Sequence, residues 1–172
     1  MCAPSSREKQ GLIWDYYKPR HTHAWNMLVL SWHALEDLDD QGVEIEYCWE
    51  NFIIRLWLYR TTVKTLTKLH VVADDARDVL DAFDKVFNTN GRNDLKALRD
   101  MIEHFDDYAA DQGHGPPKRQ TDLDPWQQVA KDTYERGQFH LERGRCYEAA
   151  NTLRLGATQV SNKFMQWYKQ SW

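Results

Sequence analysis

The chain is short of cysteine, of chain breakers and of long apolar runs, and each shortage excludes a class of protein. Its 172 residues hold three cysteines, Cys2, Cys48 and Cys146, with no C-x-x-C pair. That excludes a disulfide framework or a cysteine-rich zinc site and points to a reducing compartment. The N-terminal 20 residues mix basic and acidic side chains and lack the apolar run of a signal peptide. The most apolar segment, residues 51–60, is interrupted by Arg55 and closed by Arg60, well short of the roughly 20 apolar residues of a membrane span. These features predict a soluble, cytoplasmic protein with no membrane partner. Glycine-rich phosphate loops and the H-E-x-x-H or E-x-x-H pairs that hold zinc or two irons on helices are missing too, so neither metal nor cofactor is expected. His21, His23 and His114 read as solvated, and His33 and His70 as partly buried. A formal net charge of -4 excludes nucleic-acid binding through overall charge and leaves only a local basic strip.

What is present is helical. No proline separates Pro19 from Pro116, and before Gly113 and Gly115 at the end of that span the only glycines are Gly42 and Gly91. Apolar residues inside it keep a helical period. Trp25, Leu28, Trp32 and Leu35 mark a helix over about residues 23–40, behind an N-terminal tail of residues 1–20. A second, about Val43 to Val71, carries Trp49, Phe52, Ile53, Leu56, Val63 and Leu66 on its main stripe, with Ile54, Trp57 and Leu58 off it. A helix apolar over so much of its circumference is central in a bundle or faces a partner chain. A third runs from Asp74 to about Phe87 and stops at the turn residues Asn88 to Gly91. A fourth, about Asn93 to Asp111, has Leu95, Leu98, Ile102, Phe105 and Ala109 at spacings of three and four. Glycines, prolines and charges make residues 112–126 a loop. Alternation around Gly137 and Gly144 suggests a short hairpin within 127–143 with Tyr134 and Phe139 on one side, a helix to Arg136 being the alternative. A last helix, about Tyr147 to Lys169, closes the structure. The fold class is therefore mainly all-α, an up-and-down bundle of about five helices in one domain over residues 21–172.

The chemistry-bearing residues concentrate on the fourth helix. Opposite its core stripe lie Arg99, Asp100, Glu103, His104, Asp107 and Tyr108. Asp100, His104 and Tyr108 follow one another at i, i+4, i+8, and Arg99 with Glu103 forms the neighbouring row. Charged faces of this kind most often only solvate a helix. Imidazole exchanges protons at neutral pH, and guanidinium is a permanent planar donor matched to phosphate oxygens. On a straight helix Arg99 and His104 are about 140° and 7.5 Å apart, so one copy makes a poor pocket.

The arrangement R-D-M-I-E-H, Arg99 to His104, on a late helix of an all-helical bundle resembles the HEPN superfamily, whose hallmark is R-x4-6-H with a polar residue after the Arg. The resemblance covers residues 23–112 and implies a metal-independent endoribonuclease with a composite cleft of two Arg and two His at a homodimer interface. It implies RNA as substrate and a toxin–antitoxin or phage-defence setting with an antitoxin or defence-system partner. Arg99 and His104 would then be catalytic, with Asp100 orienting the imidazole and Glu103 and Tyr108 auxiliary. Other members of the superfamily only bind, which leaves a noncatalytic nucleotide-, RNA- or protein-binding module as the alternative. One branch carries a modifiable Tyr two residues after the His; here that position is Asp106. Arg60, Lys64 and Lys68, at i, i+4, i+8 on the second helix, offer a strip for RNA phosphates.

Overall fold

The computed structural model describes residues 6–38, 43–89, 91–104, 128–137 and 139–170. Among them the order is α1 (Ser6–Glu36), α2 (Val43–Val63), a 3-10 helix (Lys64–Lys68), α3 (Ala73–Val86), β1 (Asn88–Thr89), β2 (Arg92–Asn93), α4 (Asp94–Glu103), β3 (Gln128–Val129), β4 (Thr133–Arg136), β5 (Phe139–Glu142) and α5 (Arg143–Gln170). The fold is mainly helical, as the periodicity predicts, with a small antiparallel sheet before the last helix.

Helix α2 is the axis of the structure. Trp49, Phe52, Ile53, Leu56, Tyr59 and Val63 are fully buried, and α1, α4 and α5 close around them. The expected stripe of α5 is likewise inside, through Ala149, Leu153, Ala157, Val160 and Phe164. Where α3 meets α5 the fit is close: a Cβ placed on Gly156 would lie 2.7 Å from a methyl of Val79. Branched Val79 cannot swing away as a long side chain can. Gly156→Val is expected to destabilise the protein by about 1–3 kcal/mol, read as an earlier urea midpoint with an unchanged slope, while Gly144→Ala, in open space, is neutral or slightly stabilising.

Helix α1 begins at Ser6, so the segment expected as a tail of residues 1–20 is helical from its sixth residue, through Pro19. Proline removes one helical hydrogen bond and crowds the preceding turn, which is why it reads as a breaker. Tertiary contacts override it. Arg7 Nη2 donates to the Tyr168 carbonyl at 2.6 Å, Gln10 bonds Lys68 O and accepts from the His70 N–H, and Gly11 packs under the Tyr168 ring.

Helix α2 also departs from expectation, ending at Val63 and tightening into the 3-10 turn. Threonines 62 and 67 bond back to the carbonyls of Leu58 and Lys64 on either side of this junction. Residues four apart on a 3-10 helix point about 120° apart, so the stripe expected of Arg60, Lys64 and Lys68 breaks up.

Between α3 and α4 the chain reverses in a minimal hairpin pairing Asn88 with Asn93 and Thr89 with Arg92, and Gly91 takes a φ of 81° that side chains resist. The hairpin expected within 127–143 is β4–β5, with β3 added as a third strand in the order β3-β4-β5. Tyr134 and Phe139 both face inward, and Trp49 Nε1 donates to the Ala130 carbonyl at 2.8 Å, fastening the sheet to α2. Among the described residues no helix is long and apolar enough to cross a membrane.

Candidate functional site

Helix α4 starts on a cap, with the Asn93 side chain accepting from the Lys96 N–H at 2.9 Å, and buries Leu95, Leu98 and Met101. It ends sooner than its periodicity predicts. Glu103 is its last residue, and His104 is the C-cap, with φ -121° and ψ 37° and its N–H donating to Asp100 O at 3.0 Å. Wheel arithmetic therefore stops one residue short of the imidazole, which is exposed. Tyr108, with Phe105, Asp107, Ala109 and the loop 112–126, lies outside the described residues.

Arg99 is held rather than dangling. Its Nη1 lies 3.1 Å from Asp100 Oδ1 and also pairs with Glu103, while its guanidinium sits 5.1 Å from the centre of the Trp57 ring. Its side chain is 18% exposed. Nε is buried without a hydrogen-bond partner among the described residues. Arg60 lies 5.0 Å from the same indole and is gripped by both carboxylate oxygens of Asp84, with Nε donating to Oδ1 at 2.9 Å. Trp57, one of the residues off the main stripe of α2, is thus a platform shared by two guanidinium groups. Its surplus apolar surface was the available signal. Asp84 gave none, because only the packing of α3 on α2 brings it to Arg60.

The predicted site residues are therefore partly gathered. Arg99, Asp100 and Glu103 form one ion-paired group, with His104 next along the chain. Asp100, expected to orient the imidazole, binds the guanidinium. Arg60 belongs to the same cluster through Trp57 and is tied to Asp84, which corrects its reading as an open phosphate contact. Lys64 and Lys68 lie on the exposed side of the 3-10 turn. Among the described residues no group of three or more His, Cys, Asp or Glu side chains comes together as a metal site requires.

A second polar feature lies inside the α1–α2 contact. His21, read as a solvated histidine, is half-buried: its Nε2 and the buried Tyr59 hydroxyl are hydrogen-bonded at 2.9 Å, between the Tyr17 and Tyr59 rings. Burial, and then the charge of Arg154, lower its pKa from the ordinary 6.5. Burial pushes the Tyr17 hydroxyl up to about 12 and raises that of Tyr59 further. His33 and His70, expected to be partly buried, are exposed; His33 pairs with Glu36 and His70 meets the edge of Trp167. The unfolded chain takes a proton on His21 near pH 6.5 and the folded chain only at lower pH. Stability is therefore undiminished above 6.5 and falls as pH drops through that value toward the folded pKa. Urea unfolding at pH 7.5, 6.5 and 5.5 is expected to show this loss, and His21→Gln to flatten it; an equal slope in the variant would assign the loss to other groups.

No protein-family model, curated protein or solved structure matches this chain.

Proposed function

We propose that this protein is a metal-independent endoribonuclease whose chemistry is carried by Arg99 and His104, at a cleft completed by a second copy of the chain. The observation that supports this reading most is the end of α4, where a guanidinium held on an indole by two carboxylates is followed, five residues along the chain, by an exposed imidazole at the helix terminus.

RNA carries its own nucleophile. The imidazole of His104 removes the proton of a 2′-hydroxyl, the oxygen attacks the adjacent phosphorus, and the bond to the 5′-oxygen breaks as that oxygen gains a proton. Arg99 stabilises the charge that builds on the non-bridging oxygens. Trp57, Asp100 and Glu103 fix the guanidinium plane and so reduce the ordering needed on binding. A two-fold partner supplies the second Arg and His, so that Arg99 of one protomer acts with His104 of the other and the remaining imidazole assists as acid.

One observation favours a second reading, a noncatalytic RNA- or nucleotide-binding module. Nη1 of Arg99 is already shared by two carboxylates, and an incoming phosphate must compete with both. Incubating the purified protein with a structured RNA in EDTA, beside the same RNA with 2′-deoxy residues, separates the two. The catalytic reading predicts cleavage of the first, ending in 2′,3′-cyclic phosphates, and an intact second. Binding of both without cleavage would establish the module instead.

A further inference from the structure

The middle of the outer face of the α1–α2 hairpin carries cations and exposed apolar side chains and no acid, with Asp15 beside Tyr16 and Glu44 one turn before Tyr47 towards its ends. Between Asp15 and Glu36 helix α1 has no acidic residue, and after Glu50 none occurs until Asp74. Glu50 itself is engaged by Arg136. The same stretches hold Lys18, Arg20, Arg55, Lys64 and Lys68, besides Arg60, which is tied to Asp84 of α3, in a chain whose net charge is -4. Among the described residues, Leu12, Tyr16, Leu30, Tyr47 and Leu58 account for nearly all the large apolar side chains left in solvent, Leu155 being the other, and all five lie on α1 or α2.

Helical geometry collects them. At 100° per residue Leu12, Tyr16, Arg20, His23, Met27 and Leu30 follow one edge of α1, away from buried Tyr17, Leu28 and Leu35. Tyr47, Asn51, Ile54, Arg55, Leu58 and Thr62 do the same on α2, opposite Trp49 and Leu56. Between the two rows runs a cleft of about 160 Å³ lined by Arg20, His23, Met27, Arg55, Leu58 and Thr62. Arg20 lies 4.0 Å from the centre of the Tyr16 ring, and Arg55 Nε donates to Asn51 Oδ1 at 3.3 Å. Neither guanidinium makes an ion pair with a described carboxylate.

We infer that this groove is a docking site for an amphipathic helix of a partner protein, with leucine-type anchors on one stripe and aspartate or glutamate beside it. Two helices flanking a cleft walled by Met27 and Leu58 accept a third by ridges-into-grooves packing, and Arg20, His23 and Arg55 along the cleft select an acidic occupant. From Leu12 to Leu30 the α1 edge runs about 27 Å, the length of roughly five helical turns. A second copy docking through the same face would bring the same cations, with no α1 carboxylate between Asp15 and Glu36 to meet them. Single-stranded RNA uses stacking platforms and gains little from Leu12, Met27, Leu30 and Leu58. The site is independent of the Arg99–His104 reading.

Two designed 20-residue helical peptides with the same leucine stripe, one flanked by Glu and one by Lys, test this by fluorescence anisotropy against the full chain. The Glu peptide is expected to saturate in the micromolar range, and the Lys peptide to bind at least about tenfold more weakly. Leu58→Asp and Leu30→Asp should each weaken the Glu peptide about tenfold, and the Arg20→Glu, Arg55→Glu double variant should invert the preference. All these positions are at least partly exposed, and thermal melts confirm folding. Equal binding of both peptides, no binding of the Glu peptide, or indifference to the substitutions would overturn the proposal. So would a 20-mer RNA, anionic vesicles or self-association whose signal is lost in Leu58→Asp while the Glu peptide binds unchanged.

Discussion

Replacing His104 or Arg99 with alanine is expected to lower RNA cleavage by about 10²–10⁴-fold, with little change in stability. The size follows from the roles: a positioned proton-transfer group contributes about 10²–10⁴, and one donor aimed at developing charge about 10²–10³. Stability is spared at His104, which is exposed at a helix end, whereas Arg99, 18% exposed and packed on Trp57, should cost on the order of 1 kcal/mol when truncated. Arg99→Lys separates charge from geometry, since an ammonium keeps the charge but loses the planar fork and the flat contact with Trp57. Little recovery is expected. Trp57→Ala should also reduce cleavage, as it removes the surface on which the guanidinium rests.

Trp49→Ala should do the opposite, costing about 3–5 kcal/mol of stability. Trp49 has no exposed surface, meets Phe52 edge-on with ring centres 5.8 Å apart, packs at 5.8 Å from Tyr134, and carries the hydrogen bond to Ala130. Truncation opens a cavity between α2 and the sheet and removes one of two hydrogen bonds to the Ala130 carbonyl, which keeps the Thr133 N–H at 3.3 Å. For a chain of this length the melting temperature should fall by about 10 °C or more in calorimetry. Trp49→Phe, which keeps most of the volume and loses the donor, should cost markedly less. Equal melting of Trp49→Ala and wild type would mean that the sheet does not depend on this contact.

These two tryptophans, eight residues apart on one helix, show how much was legible in the sequence. Trp49 falls on the regular stripe of α2, and the stripe located the core there, as did Leu95 and Leu98 on α4 and the small residues of α5. The turn at Gly91 and the inward pair Tyr134 and Phe139 were also legible, because a left-handed glycine and strand alternation are local signals. Features that depend on distant partners were not. Pro19 reads as a boundary until Arg7, Gln10 and Gly11 find Tyr168 and Lys68. His21 reads as solvated until Tyr59 arrives from α2. At the site, the Arg99–Glu103 row followed from i, i+4 spacing, whereas the end of α4 at Glu103 and the Asp84 grip on Arg60 are set by how the helices meet.

The most direct test of the account uses one RNA, EDTA throughout, and four samples: wild type, Arg99→Ala, His104→Ala, and the two variants unfolded together and refolded as a mixture. Wild type should cleave, each variant alone should be silent, and the mixture should regain part of the activity, because a mixed dimer carries one Arg99 and one His104 on opposite protomers of a shared cleft. Cleavage by either variant at the wild-type rate, or a mixture that forms dimers and stays silent beside an active wild type, would contradict the account.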